Sequence, residues 1–394
     1  MPSPRVQRHI IFLEELRRHS DREVCLGAAE YASEHPAWVF DPWPISLAQG
    51  DAPALADLRM VDGILTTERS MGEVPALRRR RIPLVYCLAD KLHAHADAAS
   101  VDELAVGAMA AGHLWDRGYR HFAFIGSTAT GWSQQRARGF SQVLDHAESP
   151  PKVHLFSPKE LPVYWSWNLA QRHARLLELL AALPRPCGIF AANDVIACFV
   201  LQAARQIGRR IPEDFGVIGV DNDPFPNAAA GLAISSIELP FREIGRAAAR
   251  LLAERWQGAA PGRLVRLPPI RVIVRTSTDA FMAQDVFVRK AQAYVEAHRH
   301  QRVTVNEVTR AVGTNRVTLG KHFQRELAAT PLDYIRRRRL AYAVECLRQG
   351  DATVDEVAFR CGFSSASYFS RMLAKETGQR PGSIRRAAGG ESAD

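Results

Sequence analysis

Seven residues in the first two thirds of the chain could hold a small hydroxylated molecule: Asp102, Trp132, Arg136, Asn193, Asp194, Asp221 and Asn222. Asp, Asn and Arg are planar and bidentate, so each can engage a pair of neighbouring hydroxyls, while an indole face covers the C–H patches of a sugar ring. Each also has a plainer reading. Asp102 and the Asn193-Asp194 pair stand where helix N-caps are expected. Asp221-Asn222 could be a turn ahead of Pro224, Trp132 a packed loop residue and Arg136 a surface cation. In the last third the candidates are Arg316, Val317, Gly320, Lys321 and Gln324, and then Ala366, Ser367, Ser370 and Arg371. Small and basic residues on one helix face permit close approach to a DNA major groove and a hydrogen bond to guanine.

The elements that must position the first set alternate between strand and helix. Apolar runs at 6–13, 61–65, 82–86, 121–125, 187–191 and 216–220 read as strands. Stretches at 21–35, 104–117, 134–146, 169–183 and 195–207 carry helical spacing. Regular alternation implies parallel sheets with helices on both faces, and ligands of such sheets sit beyond the carboxyl ends of the strands. After Arg275 the pattern is purely helical. The expected division is 1–278 and 279–394. Within the first part, lobe 1 is expected at about 6–118 plus 236–262 and lobe 2 at about 119–235 plus 263–278.

The second set lies in a duplication. Thr304 to Gly313 matches Thr353 to Gly362 at an offset of 49, while Leu319, Phe323 and Pro331 match Phe369, Leu373 and Pro381 at an offset of 50. Each copy reads as helix, glycine turn, helix. Gly313 is expected to take positive φ and Asn315 to cap the second helix. Leu319, Phe323 and Leu327 share one face, with the basic and small residues on the other. Between the copies, 332–349 reads as one helix closed by Gly350. Such a rod of about 27 Å could hold two recognition helices roughly one DNA turn apart. Arg336 to Arg339 lie on it. Four adjacent arginines point all round a helix, so one or two can meet phosphate while the rest are solvated or paired.

Charge and composition narrow the function classes. The net charge is +9, and residues 279–394 carry +6 of it. A basic helical module suggests a polyanion partner. The 394 residues are 47% apolar and 24% charged, which excludes wholesale disorder. No apolar stretch reaches the roughly 18 residues a membrane span needs, and the N-terminus does not resemble a signal peptide. Cys25, Cys87, Cys187, Cys198, Cys346 and Cys361 are dispersed, which reads as buried thiols in a reducing cytoplasm. No GxSxG, Walker loop, HExxH or zinc spacing occurs, and His93 and His95 lack a nearby third ligand, so neither an enzyme nor a cofactor is expected.

Residues 362–386, GFSSASYFSRMLAKETGQRPGSIRR, resemble the AraC-type DNA-binding domain. The departures are Leu373-Ala374 in place of the usual Phe-Lys, and Ala328 in place of Gly. Segments 113–127, 136–140, 189–197 and 211–222 resemble the sensor core shared by LacI-type repressors and periplasmic binding proteins, and no LacI-type DNA-binding helices precede the first expected strand. The resemblance implies an α/β two-lobed periplasmic-binding-protein-like sensor, followed by an all-α domain with two helix-turn-helix motifs. It assigns ligand binding to Arg136 and Asp221, and it expects 14–22 and 66–70 to complete the site. It further implies a cytoplasmic homodimer that binds a double-stranded DNA operator and a monosaccharide effector and contacts RNA polymerase. The implied role is activation of a pentose (xylose-type) catabolic operon. Another sugar, a sugar acid or a purine as effector, or repression, stay open.

Overall fold

The computed structural model describes residues 7–43, 60–67, 82–91, 93, 95–145, 150–160, 174–279, 285–327, 329–349, 352–363, 365–377 and 380–388. The expectations for 68–70, 169–173, Ala328 and Gly350 fall outside these residues.

The first sheet contains β1 (Arg8–Leu13), β2 (Trp38–Trp43), β3 (Gly63–Thr66), β4 (Leu84–Cys87) and β5 (Asp97–Val101), with α1 (His19–Ser33) after the first strand. The chain then crosses to α2 (Glu103–Asp116), β6 (His121–Ser127), α3 (Gly131–Leu144), β7 (Lys152–Phe156), α4 (Ala174–Ala182), β8 (Cys187–Ala191), α5 (Asp194–Gln206), β9 (Phe215–Val220), α6 (Pro224–Ala229) and β10 (Ser235–Glu238). It returns for α7 (Phe241–Trp256) and β11 (Leu264–Leu267), and crosses back to β12 (Arg271–Ile273). The sheet orders are β11-β5-β4-β3-β1-β2 and β12-β10-β9-β8-β6-β7. Pairing is parallel except between β10 and β12. Central strands read as continuous apolar runs because helices cover both faces. β8 and β9 are buried at every position.

Sheet membership corrects the expected lobe boundaries. β10 and β12 belong to the second sheet, β11 to the first, and α2 packs on α3 of lobe 2. The crossovers therefore fall near Asp102, Leu239 and 268–270, not near 118, 236 and 262. The apolar pattern of α2 did not disclose its lobe, because a helix face says that something covers it and not which sheet does. The crossover segments touch each other: the Asp102 amide donates to the Leu267 carbonyl at 2.8 Å.

The remainder is helical: α8 (Val286–Ala297), α9 (Val305–Val312), α10 (Arg316–Leu327), α11 (Pro331–Gln349), α12 (Val354–Arg360), α13 (Ala366–Thr377) and α14 (Pro381–Ala388). The duplication is physical. Thr304 with Glu307, and Thr353 with Glu356, form reciprocal capping boxes. Gly313 and Gly362 turn the chain at φ +77° and +74°, where a Cβ is disfavoured. Asn315 caps α10 by accepting from the Thr318 amide at 2.8 Å. Val308, Val312, Leu319, Phe323 and Leu327 bury against α8 and the start of α11. Val357, Ala358, Phe369 and Leu373 bury against the end of α11. One 19-residue helix, about 28 Å long, thus serves both cores.

Candidate functional site

Arg136 is a buried cation of lobe 2. It projects from α3 and is 4% exposed. Its Nε donates to Glu103 Oε2 at 2.6 Å, and its Nη1 donates to the Ala192 carbonyl at 2.6 Å. Asp221 Oδ1 stands 4.0 Å from Nη1, and the guanidinium lies 4.7 Å from the Trp132 ring centroid. Burial raises the Glu103 carboxyl, while the adjacent guanidinium opposes that rise.

Two glycines make this arrangement possible. A Cβ on Gly107 of α2 would stand 2.2 Å from the Arg136 carbonyl oxygen, and one on Gly139 of α3 would stand 2.1 Å from that of Leu104. The helices therefore cross backbone against backbone, which sets the first turn of α2 beside Arg136 and delivers Glu103 to it.

Asp102, Asn193-Asp194 and Asp221-Asn222 follow the carboxyl ends of β5, β8 and β9, while Trp132 and Arg136 lie in α3, and the chain uses them differently. Trp132, half-buried, sits in the first turn of α3 rather than in a loop, because α3 begins at Gly131. Asp102 caps α2 through a 3.1 Å bond from the Ala105 amide. Asn193 caps α5 through a 2.9 Å bond from the Ile196 amide. Asp194 is buried and braces the 221–223 turn, accepting from Ser236 Oγ at 2.7 Å and from the Asp223 amide at 2.9 Å. Burial and neighbouring Asp221 raise its carboxyl well above the ordinary value.

That turn is strained. Asp221 and Asn222 take φ +101° and +51°, a region costly for residues with a Cβ. Asn222 turns to Arg275, whose Nη2 donates to its Oδ1 at 2.6 Å. Both residues line a cavity of about 740 Å³, together with His19, Glu23, Asn227 and Glu238, whereas Asp221 turns toward Arg136.

Several groups here escaped sequence reading. Glu103 follows a cap candidate and looks like an ordinary first-turn acid, so only its partner distinguishes it. Asp90, from lobe 1, accepts from the Gly131 amide at 3.1 Å and ties the two lobes at the start of α3. The 14–22 and 66–70 segments were expected beside the site without assigned residues: Glu14 is buried and accepts from Thr67 Oγ1 at 2.6 Å, while Arg18 acts electrostatically on Asp221. His93 packs against Tyr86, with ring centroids 4.3 Å apart, and no cluster of metal-ligating residues occurs among the described residues.

On the helical domain, Arg316, Val317, Lys321 and Gln324 of α10 are exposed and Gly320 is half-buried. On α13, Ser367 and Arg371 are exposed, and Ala366 and Ser370 are half-buried. No ion pair involves Arg316, Lys321 or Arg371 among the described residues, whereas Arg325 is bound by Asp285 at 2.7 Å. Val317, at 70% exposed, is an apolar side chain held in water on the same face. The arginine run divides: Arg336 pairs with Asp333, Arg338 with Asp116 and Glu296, and Arg339 donates to the Val303 carbonyl, leaving Arg337 exposed.

Residues 111–278 match the periplasmic binding protein-like domain family, and residues 308–387 match a helix-turn-helix domain family. The xylose operon regulatory protein of Escherichia coli K12 is 28% identical over 381 residues, covering 94% of this chain and 95% of that protein. The chain is similar to the xylose operon regulatory proteins over most of its length. The Haemophilus influenzae protein of that name is 29% identical over 334 residues, covering 82% of this chain and 85% of its own. The solved structure of the xylose-binding transcription activator XylR matches with a TM-score of 0.60 and 26% identity, over 96% of this chain and 98% of that one. The regulator thus joins a periplasmic-binding-protein-like sensor to a helix-turn-helix DNA-binding domain. Among the described residues, no helix is long and apolar enough to cross a membrane.

Proposed function

We propose that the chain is a sugar-responsive, sequence-specific transcription regulator, with a pentose as effector and activation of a catabolic operon as its role. The observation that carries this is the Arg136 cluster. A guanidinium fixed by Glu103 and Ala192 stands beside the Asp221 carboxylate and the Trp132 ring, at the strand ends where two lobes meet. That set matches a small ring with hydroxyls on its rim and C–H groups on its faces. Xylose operon regulators as relatives support the pentose over other sugars.

Closure on the sugar is the switching event. A cytoplasmic homodimer presents four recognition helices to paired half-sites and meets RNA polymerase alongside. Coupling of this kind is typically about 1–3 kcal/mol, or roughly 5–150-fold in DNA affinity. Thermal-shift measurements against a panel of monosaccharides test the effector class, and a gain confined to one pentose is expected. Titration of the regulator's upstream DNA, with and without that pentose, tests the coupling. Stabilisation by a purine or a sugar acid instead of any pentose would displace this reading.

A further inference from the structure

The joint between sensor and DNA-binding domain is built around one arginine. Arg338 lies in the middle of α11, the helix shared by both helix-turn-helix cores, yet its side chain turns away from them and is 16% exposed. Nη2 and Nε contact Glu296 Oε2 at 2.6 and 3.0 Å, and Nη1 stands 3.5 Å from Asp116 Oδ2. Asp116 is the last residue of α2, the helix whose first residue, Glu103, binds Arg136. Around this centre, Gln292 of α8 donates to the Asp116 carbonyl at 2.8 Å. Arg120, stacked on Trp115 at 4.3 Å, donates to the Glu326 carbonyl near the end of recognition helix α10. Arg117 of lobe 2, 3% exposed, reaches Asp279 at 3.5 Å, and buried His113 meets Thr278 at 2.8 Å, so the chain leaving the sensor is tied to the same end of α2.

These contacts come from lobe 2. Asp116, Arg117 and Arg120 all follow the first crossover near Asp102, and α8 and α11 answer them from the DNA-binding domain. Arg338 thus stands between one carboxylate of its own domain, Glu296, and one of the sensor, Asp116. We propose that Arg338 is the positioning residue that locks the DNA-binding domain to lobe 2, so that lobe 2 and the domain move as one body while lobe 1 swings against them. In this arrangement α2 is a rigid strut with the effector site at one end and the DNA-binding domain at the other. The docking stands whatever the effector is. Its regulatory consequence rests on the sugar-sensor reading above.

Pulsed EPR distances on the full chain separate the two. One spin-label pair joins lobe 2 to the DNA-binding domain (Val143→Cys with Phe359→Cys), and another joins lobe 1 to it (Leu26→Cys with Phe359→Cys). All three positions are exposed, and the six native cysteines among the described residues are buried. The lobe-2 pair is expected to give one narrow distance, unchanged by saturating D-xylose or other aldopentoses, while the lobe-1 pair shifts. Arg338→Met, and Asp116→Asn on the sensor side, are expected to broaden the lobe-2 distribution. They should also bring the pentose-induced change in DNA affinity to within twofold of none, with the thermal shift from the pentose retained. A distribution that stays narrow in both variants, or a lobe-2 distance that moves with the pentose, overturns the proposal. If neither pair responds to any pentose, the sugar-sensor reading fails, and the widths still decide the docking.

Discussion

Glu103 and Arg136 form a buried ion pair, 2.6 Å between Oε2 and Nε, across two helices that cross through glycine. On the proposed reading of Arg136 as an effector contact, the pair fixes the guanidinium before any ligand arrives. Prepaid orientation lowers the entropy a ligand must give up on binding.

Removing one member should therefore cost more than a contact. Arg136→Leu leaves Glu103 buried without a cation, and breaking such a pair is worth about 3–5 kcal/mol of stability. Glu103→Gln keeps the shape and loses the charge, so a smaller loss is expected. Chemical denaturation of both single variants and the double variant closes a mutant cycle, and additive losses would contradict the pairing.

Asp221 should make effector binding pH-dependent. Burial, helped by Glu103 and Asp223 and opposed by Arg136, pushes its carboxyl up to about 7. Between roughly pH 4 and 7 the folded state holds a proton that the unfolded state has released, so this group's contribution to stability falls as pH rises through that window. As a carboxylate it accepts two hydroxyls, whereas protonated it accepts fewer. Pentose affinity should weaken as pH drops from 8 to 6, and Asp221→Asn should flatten the profile. Asp221→Ala should abolish the thermal gain and leave DNA binding intact.

Gly139→Ala tests the helix crossing. Alanine favours a helix by about 1 kcal/mol over glycine. Here its Cβ would meet the Leu104 carbonyl oxygen at 2.1 Å, which backbone alone must relieve. Overpacking of this sort costs about 1–3 kcal/mol, so net destabilisation and weaker pentose binding are expected. A higher melting temperature would show that the helices separate freely.

Arg371→Ala should weaken specific DNA binding by about 1–3 kcal/mol if the guanidinium reads a base. An equal loss on random DNA would mark it as a phosphate contact. Band-shift titrations on both, at several salt concentrations, discriminate the two, since a lost phosphate contact also lowers the salt slope by roughly one.

The last third of the chain was legible in sequence because its determinants are local. Thr304 and Glu307 close a capping box across a single turn, Gly313 needs only its own φ, and a repeated 3.6-residue period states which face each helix buries. The end of β9 also pointed to Asp221, while Arg136 came from the family resemblance and not from a strand end. Tertiary structure alone decided the rest. Glu103 becomes a site residue through a partner 33 positions away, and Arg338 leaves the DNA-facing set through Glu296, 42 positions away, and Asp116 in another domain. It also decided that α2 belongs to lobe 2 and that Asp194 braces a turn. A charge or an apolar face in sequence states that a partner is required, and only the folded chain supplies which one.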